Sequence, residues 1–88
     1  MKTAIRISGQ VASKNRLKML IGLDSIETRK FFNDTIYVYQ TKKQALEDIK
    51  KAGEALKNDD DYDEDDMTIS VGEDYITYDA ATARIETL

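Results

Sequence analysis

Cysteine, histidine, proline and tryptophan are all missing from this chain of 88 residues. Without cysteine there is no disulfide framework and no thiolate nucleophile. Without cysteine or histidine, zinc sites of the usual kind have no ligands. The same two absences remove the commonest general base and the strongest nucleophile. Glycine is scarce, with only 4 residues. From Ser8-Gly9 through Ser13-Lys14 no second glycine arrives to complete G-x-x-x-x-G-K-[ST], so a phosphate-cradling loop is absent as well. The expectation is a protein that is not an enzyme and needs neither cofactor nor metal. Long apolar runs are lacking too. "MKTAIRISGQVASKNR" contains none longer than two residues, which argues against a secretory segment, and nothing later reaches the length of a membrane span. A cytoplasmic location and no membrane partner are the expectations that follow.

What is present is a soluble globular composition, 41% apolar and 34% charged. A chain this short forms one domain, spanning 1–88, and buries only about two-thirds of its unfolded surface. The net charge of −4 conceals a split. Residues 1–43 hold nine Lys/Arg against three Asp/Glu, whereas residues 44–88 hold four against fourteen. Opposite charge at two ends admits salt-dependent self-association or a charged partner, and ordinary scatter around one acidic loop accounts for it equally.

Periodicity supplies the elements. In "TAIRISGQV" Ile5, Ile7 and Val11 share one parity, and Arg6, Ser8 and Gln10 the other, the pattern of a half-buried strand. Gly9 falls on its apolar side and marks a bulge or a close backbone approach. A short helix follows, with Ser13 as its expected cap, Leu17, Leu20 and Ile21 on one face, and Gly22 as its stop. "TRKFFNDTIYVYQ" reads as a hairpin turning at Asn33-Asp34. In its second arm Ile36 and Val38 oppose Tyr37 and Tyr39, and the pattern does not say which pair faces the core. Thr41 through Gln44 is a capping box opening a second helix, whose stripe is Ala45, Leu46, Ile49, Ala52, Gly53 and Leu56. Gly53 weakens a helix interior, so a close approach to a sheet is expected there, and Asn58 is the expected stop. "MTISV", "YITYD" and "ATARIE" then read as strands, with Gly72-Glu73-Asp74 as a turn. The order β-α-β-β-α-β with an extra strand predicts an α+β, ferredoxin-like sandwich. Two helices would cover one face of an antiparallel sheet, and an extra C-terminal β-hairpin strand would extend an edge or fold over the other face.

Seven carboxylates fill eight positions between Asn58 and Met67. Asp59, Asp61, Asp63 and Asp65 alternate like the start of a calcium loop, but an EF-hand needs Gly at loop position 6 and Glu at position 12. A loop starting at Asp61 has Asp66 and Gly72 there, and one starting at Asp59 has Glu64 and Ser70. A nucleic-acid mimic would spread its acids over an ordered surface, whereas these are gathered in one stretch. Crowded like charges repel one another, so residues 59–66 read first as a flexible, solvated loop. Tyr62, in its middle, is the residue that reading leaves over.

An RNA-recognition motif carries K/R-G-F/Y-G/A-F-V-x-F/Y on its third strand. "NDTIYVYQ" lacks the basic residue and both small positions, and the first strand has Arg6 where a stacking aromatic is wanted. Lys14, Arg16, Lys18, Arg29 and Lys30 form at most a basic face near the first helix. The expectation is therefore a small non-catalytic domain that binds a macromolecular partner, a protein first. The candidate contacts are Tyr37, Tyr39, Tyr62, Tyr75 and Tyr78 with Asp61, Asp63 and Asp65. Two other readings remain: an acidic decoy inhibiting a nucleic-acid-binding protein, and an RNA or single-stranded DNA module working through Arg6, Lys14 and Arg29 on the open sheet face.

Overall fold

In the computed structural model, residues 2–58 and 69–87 are described. The acidic run, with Tyr62, Asp61, Asp63 and Asp65, lies outside them, as does Met67. The elements run β1 (Thr3–Gly9), α1 (Val11–Leu20), β2 (Glu27–Phe31), β3 (Asp34–Tyr39), α2 (Lys42–Lys57), β4 (Ile69–Val71), β5 (Tyr75–Tyr78) and β6 (Ala81–Thr87). The fold is α+β: two helices and one six-stranded antiparallel sheet in the order β2-β3-β1-β6-β5-β4. The last strand, not the one directly after α2, lies beside β1, and β5 and β4 extend the sheet beyond it. In this respect the order differs from the one expected. Length accounts for it, since β6 matches all seven residues of β1 from Thr3↔Thr87 to Gly9↔Ala81, and β4 has only three residues to offer.

The odd-numbered side chains of β1 build the core. Ile5 and Ile7 are fully buried with Leu17 and Ile21 from the first helical segment, Ala45, Ile49, Ala52 and Leu56 from α2, and Ile76 and Ala83 from the C-terminal strands. Burying a side chain of this size contributes about 1.5–3 kcal/mol. Both helices therefore sit on one face of the sheet. Gly9 ends β1 with φ +124°, and a Cβ there would lie 2.2 Å from the Ala80 carbonyl oxygen, so only glycine lets the β5–β6 turn come this close. The expected close approach at Gly53 is present as well: an added Cβ would meet Val71 Cγ1 at 2.6 Å, which is how α2 settles onto β4.

Three local expectations are corrected. Helix α1 begins at Val11 with Gln10 as its cap residue and no capping side-chain bond. Ser13 is instead buried inside the first turns, and its Oγ accepts from the Ala80 N–H at 3.4 Å. The β2–β3 turn comes one residue earlier than Asn33-Asp34. Phe31 pairs with Asp34, and Phe32, at φ +56°, supplies the left-handed residue. Finally, Tyr37 and Tyr39 both face the helices, Tyr39 completely buried, so neither lies on an open surface. At α2, by contrast, Thr41 Oγ1 accepts from Gln44 N–H at 3.2 Å and Asn58 closes the C-terminus, both as expected.

Candidate functional site on the open sheet face

Residues directly opposite one another in neighbouring strands share a face, so the strand registers define the surface that the helices leave uncovered. Arg29 pairs with Ile36, Ile36 with Arg6, Arg6 with Arg84, and Arg84 with Tyr75. One row across five strands thus carries three guanidiniums and ends on an aromatic ring. On one side of it Glu27, Val38, Ala4 and Glu86 stand in line, with Val38 and Ala4 fully buried although they turn away from the helices, so only the two carboxylates are open there. On the other side Ser8, Thr82, Thr77 and Ser70 form a row of hydroxyls, and Phe31 and Asp34 stand opposite each other on β2 and β3.

The rows interact. Arg6 donates through Nε to Asp34 Oδ2 at 2.7 Å, its Nη2 is at 2.7 Å from the same oxygen, and Nη1 lies 3.9 Å from Glu86 Oε1. Its guanidinium also rests over the Phe31 ring, 5.3 Å from the centroid, within cation–π range. Arg29 donates to Glu27 at 3.0 Å along the same strand. That hydrogen bond holds the Glu27 carboxyl below the ordinary carboxylate range and raises Arg29. Arg84 differs, being exposed with no ion pair or hydrogen bond from its side chain among the described residues. It borders a shallow polar hollow of ≈ 300 Å³, together with Arg6, Ser8, Asp34, Thr82 and Glu86. Tyr75 stands beside it, 37% exposed, with its hydroxyl 3.4 Å from Ser70 Oγ. An arginine already held by carboxylates is preorganised, and an unpaired one next to an exposed tyrosine is ready to bind a carboxylate or carbonyl.

Of the four candidate tyrosines among the described residues, only Tyr75 is on this face. Tyr78 is half-buried against the core from the other side, and Tyr37 and Tyr39 are inside it. Arg6 and Arg29 lie in the row, but Lys14 does not join them. It is buried on the helix side, where its Nζ donates to the Asn33 carbonyl. Lys30 alternates to the face opposite Arg29, so the basic residues of the first half do not gather into one patch. Sequence reasoning missed Arg84. Its parity in "ATARIE" was the available signal, because Ala81, Ala83 and Ile85 turn one way and leave Thr82, Arg84 and Glu86 the other.

Sequence reasoning also missed Asp48. It is 3% exposed on α2 and accepts from Gly22 N–H at 3.0 Å and from the Tyr39 hydroxyl. Burial first, and then the Asp48 carboxylate, push Tyr39 far above the ordinary tyrosine range. This cluster faces no opening and ties α1, β3 and α2 together, so its work is structural. A second hollow of ≈ 640 Å³, lined by Leu46, Gly53 and Val71 with Lys50, Lys57 and Glu73 about it, lies between α2 and the β4–β5 turn. Among the described residues, no group of three or more acidic side chains is placed to hold a metal ion. No helix there is long and apolar enough to cross a membrane. No family model matches the chain, and no curated protein and no solved structure is significantly similar to it.

Proposed function

We propose that this chain is a non-catalytic binding domain whose working surface is the open sheet face and whose partner is a protein. The observation that carries this reading is the Arg84–Tyr75 pair: an exposed guanidinium without a partner among the described residues, one strand away from an exposed aromatic ring, at the end of a row of arginines. Arginine and tyrosine are the residue types that dominate the energetics of protein interfaces. Charge supports a protein over a nucleic acid. In these rows Arg6, Arg29 and Arg84 are matched by Glu27, Asp34 and Glu86, a neutral balance. A phosphate backbone needs a surplus of positive charge, while a protein partner reads a mosaic of both signs. The acidic-decoy reading rests on residues 59–66, outside the described structure.

The test is capture from a cell lysate by the wild-type chain and by an Arg84→Ala/Tyr75→Ala variant, each with and without nuclease treatment. The proposal expects a protein retained by wild type after nuclease and lost, at least about tenfold, by the variant, since interface anchors cost roughly 1 kcal/mol or more apiece. Retention that is equal in both, or that disappears with nuclease, overturns it.

A further inference from the structure

We propose that two copies of this chain associate through their β2 edges, extending the two sheets into one. This goes beyond partner binding on the open face and rests on a different feature, the exposed edge of the sheet. All five residues of β2, Glu27–Phe31, are exposed although the strand belongs to a six-stranded sheet. An unshielded strand edge is a template for another strand. Two of the common guards, proline and a bulge, are missing from the strand itself, whose register with β3 is unbroken from Glu27↔Val38 to Phe31↔Asp34, and its charges, Glu27, Arg29 and Lys30, are of both signs, so they select a register rather than forbid pairing. Phe31 and Asp34 close a two-residue turn, so hydrogen-bonded pairs alternate from there. Glu27, Arg29 and Phe31 spend their backbone groups on β3, and Thr28 and Lys30 direct theirs outward.

Only registers that set an outward residue against an outward residue can form a ladder with a second copy, and charge selects among them. Antiparallel pairing centred on Arg29 would put the two Arg29 side chains face to face, and pairing centred on Lys30 would do the same to the lysines. Like charges directly opposite one another are destabilising. Pairing centred on Thr28 places Glu27 of each copy across from Arg29 of the other, on the same face of the joined sheet, with Thr28 opposite Thr28. The strand is then complementary to itself. Glu27 and Arg29 already meet within one copy at 3.0 Å, so each guanidinium gains a second carboxylate rather than losing its first. The joint also covers exposed apolar surface, because Ile26, 53% exposed, comes to stand beside Lys30 of the second copy; its N–H is already given to the Val38 carbonyl at 2.8 Å, so at each end of the ladder Ile26 offers only its carbonyl to the Lys30 N–H.

The test is sedimentation equilibrium of the full chain from about 10 μM to about 1 mM, a span that resolves dissociation constants of weak dimers. The wild-type mass should rise from one chain towards two. Thr28→Pro removes an outward N–H without touching a bond to β3, and should stay monomeric with an unchanged circular-dichroism spectrum. Arg29→Glu and Glu27→Arg each set like charges together twice and should weaken association at least about tenfold, and the Glu27→Arg/Arg29→Glu double variant should restore it. The exchange decides the matter if Thr28→Pro fails to fold. A wild-type chain of single mass throughout overturns the proposal, and so does a dimer indifferent to both single charge reversals.

Discussion

Asp48→Ala tests the internal logic of the fold most directly. Asp48 lies on the apolar stripe of α2, three residues after Ala45 and four before Ala52, and is buried with them. It serves two donors from other elements, the Gly22 N–H after α1 and the Tyr39 hydroxyl on β3. Truncation leaves the buried Tyr39 hydroxyl without an acceptor, at about 1–3 kcal/mol, and strips the half-buried Gly22 N–H of its own at a smaller cost. Part of this is offset, because the variant no longer desolvates a carboxylate. The expected net loss is about 1–3 kcal/mol, read as a lower midpoint of urea unfolding at unchanged slope. For a domain this size, with a total stability of roughly 4–13 kcal/mol, that is a large share. Tyr39→Phe alone removes one hydrogen bond to a charged acceptor and should cost about 1.5–3 kcal/mol. Added to Asp48→Ala, it should cost nothing or recover stability, because the hydroxyl it deletes is by then unsatisfied. A double-mutant cycle therefore returns a coupling of at least about 1 kcal/mol. Additive losses, or an Asp48→Ala variant within about 0.5 kcal/mol of wild type, would show that the cluster does not hold the helices to β3.

Gly53→Ala should reverse the usual helix rule. In an open helix it stabilises by about 1 kcal/mol, but here the new Cβ meets Val71 Cγ1 at 2.6 Å, so thermal unfolding should move downward and an added Val71→Ala should bring it back. Phe32→Gly should stabilise the fold by about 0.5 kcal/mol, read as a higher urea midpoint. The left-handed φ of +56° costs a non-glycine residue about 1–2 kcal/mol, and among the described residues the exposed ring pairs only with Phe31, at 4.6 Å; a lower midpoint would mean that this ring pair outweighs the backbone strain. Tyr39 and Tyr37 both have raised pKa values in the folded chain, burial being the first cause in each. Their contribution is fully present below the unfolded-state value of about 10 and is lost as pH rises past it towards the folded values. Stability measured across alkaline pH should decline above about 10, less steeply in Tyr39→Phe, and a flat profile in wild type would contradict the burial.

Local pattern was enough for the elements whose two faces differ in chemistry. β1 alternates isoleucine with arginine and serine, and α2 opens on a threonine cap and carries its stripe for four turns, so both were legible. α1 was less so, since its buried face includes Ser13 and Lys14 along with Leu17. A polar residue that finds a partner across the fold looks, in one dimension, like one meant for water. β3 was ambiguous for the opposite reason, because Ile36-Tyr37-Val38-Tyr39 is apolar on both parities. The choice falls to the tyrosines because their rings fill the space beneath α2, and because Asp48 waits there for a hydroxyl. A carboxylate on an apolar stripe was the sign that donors had to meet it inside the fold, and the Tyr39 hydroxyl on β3 is one of the two that do, with the Gly22 N–H.

The candidate site was illegible for a different reason. Arg29, Arg6 and Arg84 are scattered over almost the whole chain, and nothing local relates them. Three independent registers, β2 with β3, β3 with β1 and β1 with β6, put them in one row. A slip of one residue in any register would turn that strand's arginine to the helix side and break the row. The row is thus as well determined as the core, since the alternation that buries Ile5, Ile7 and Ala83 is the same alternation that exposes Arg6 and Arg84. β2 has all five side chains exposed and none in the core to pin it. Its register rests on the Phe32-Asn33 turn and on backbone bonds to β3, which leaves its charged side chains free to be chosen for what meets the edge.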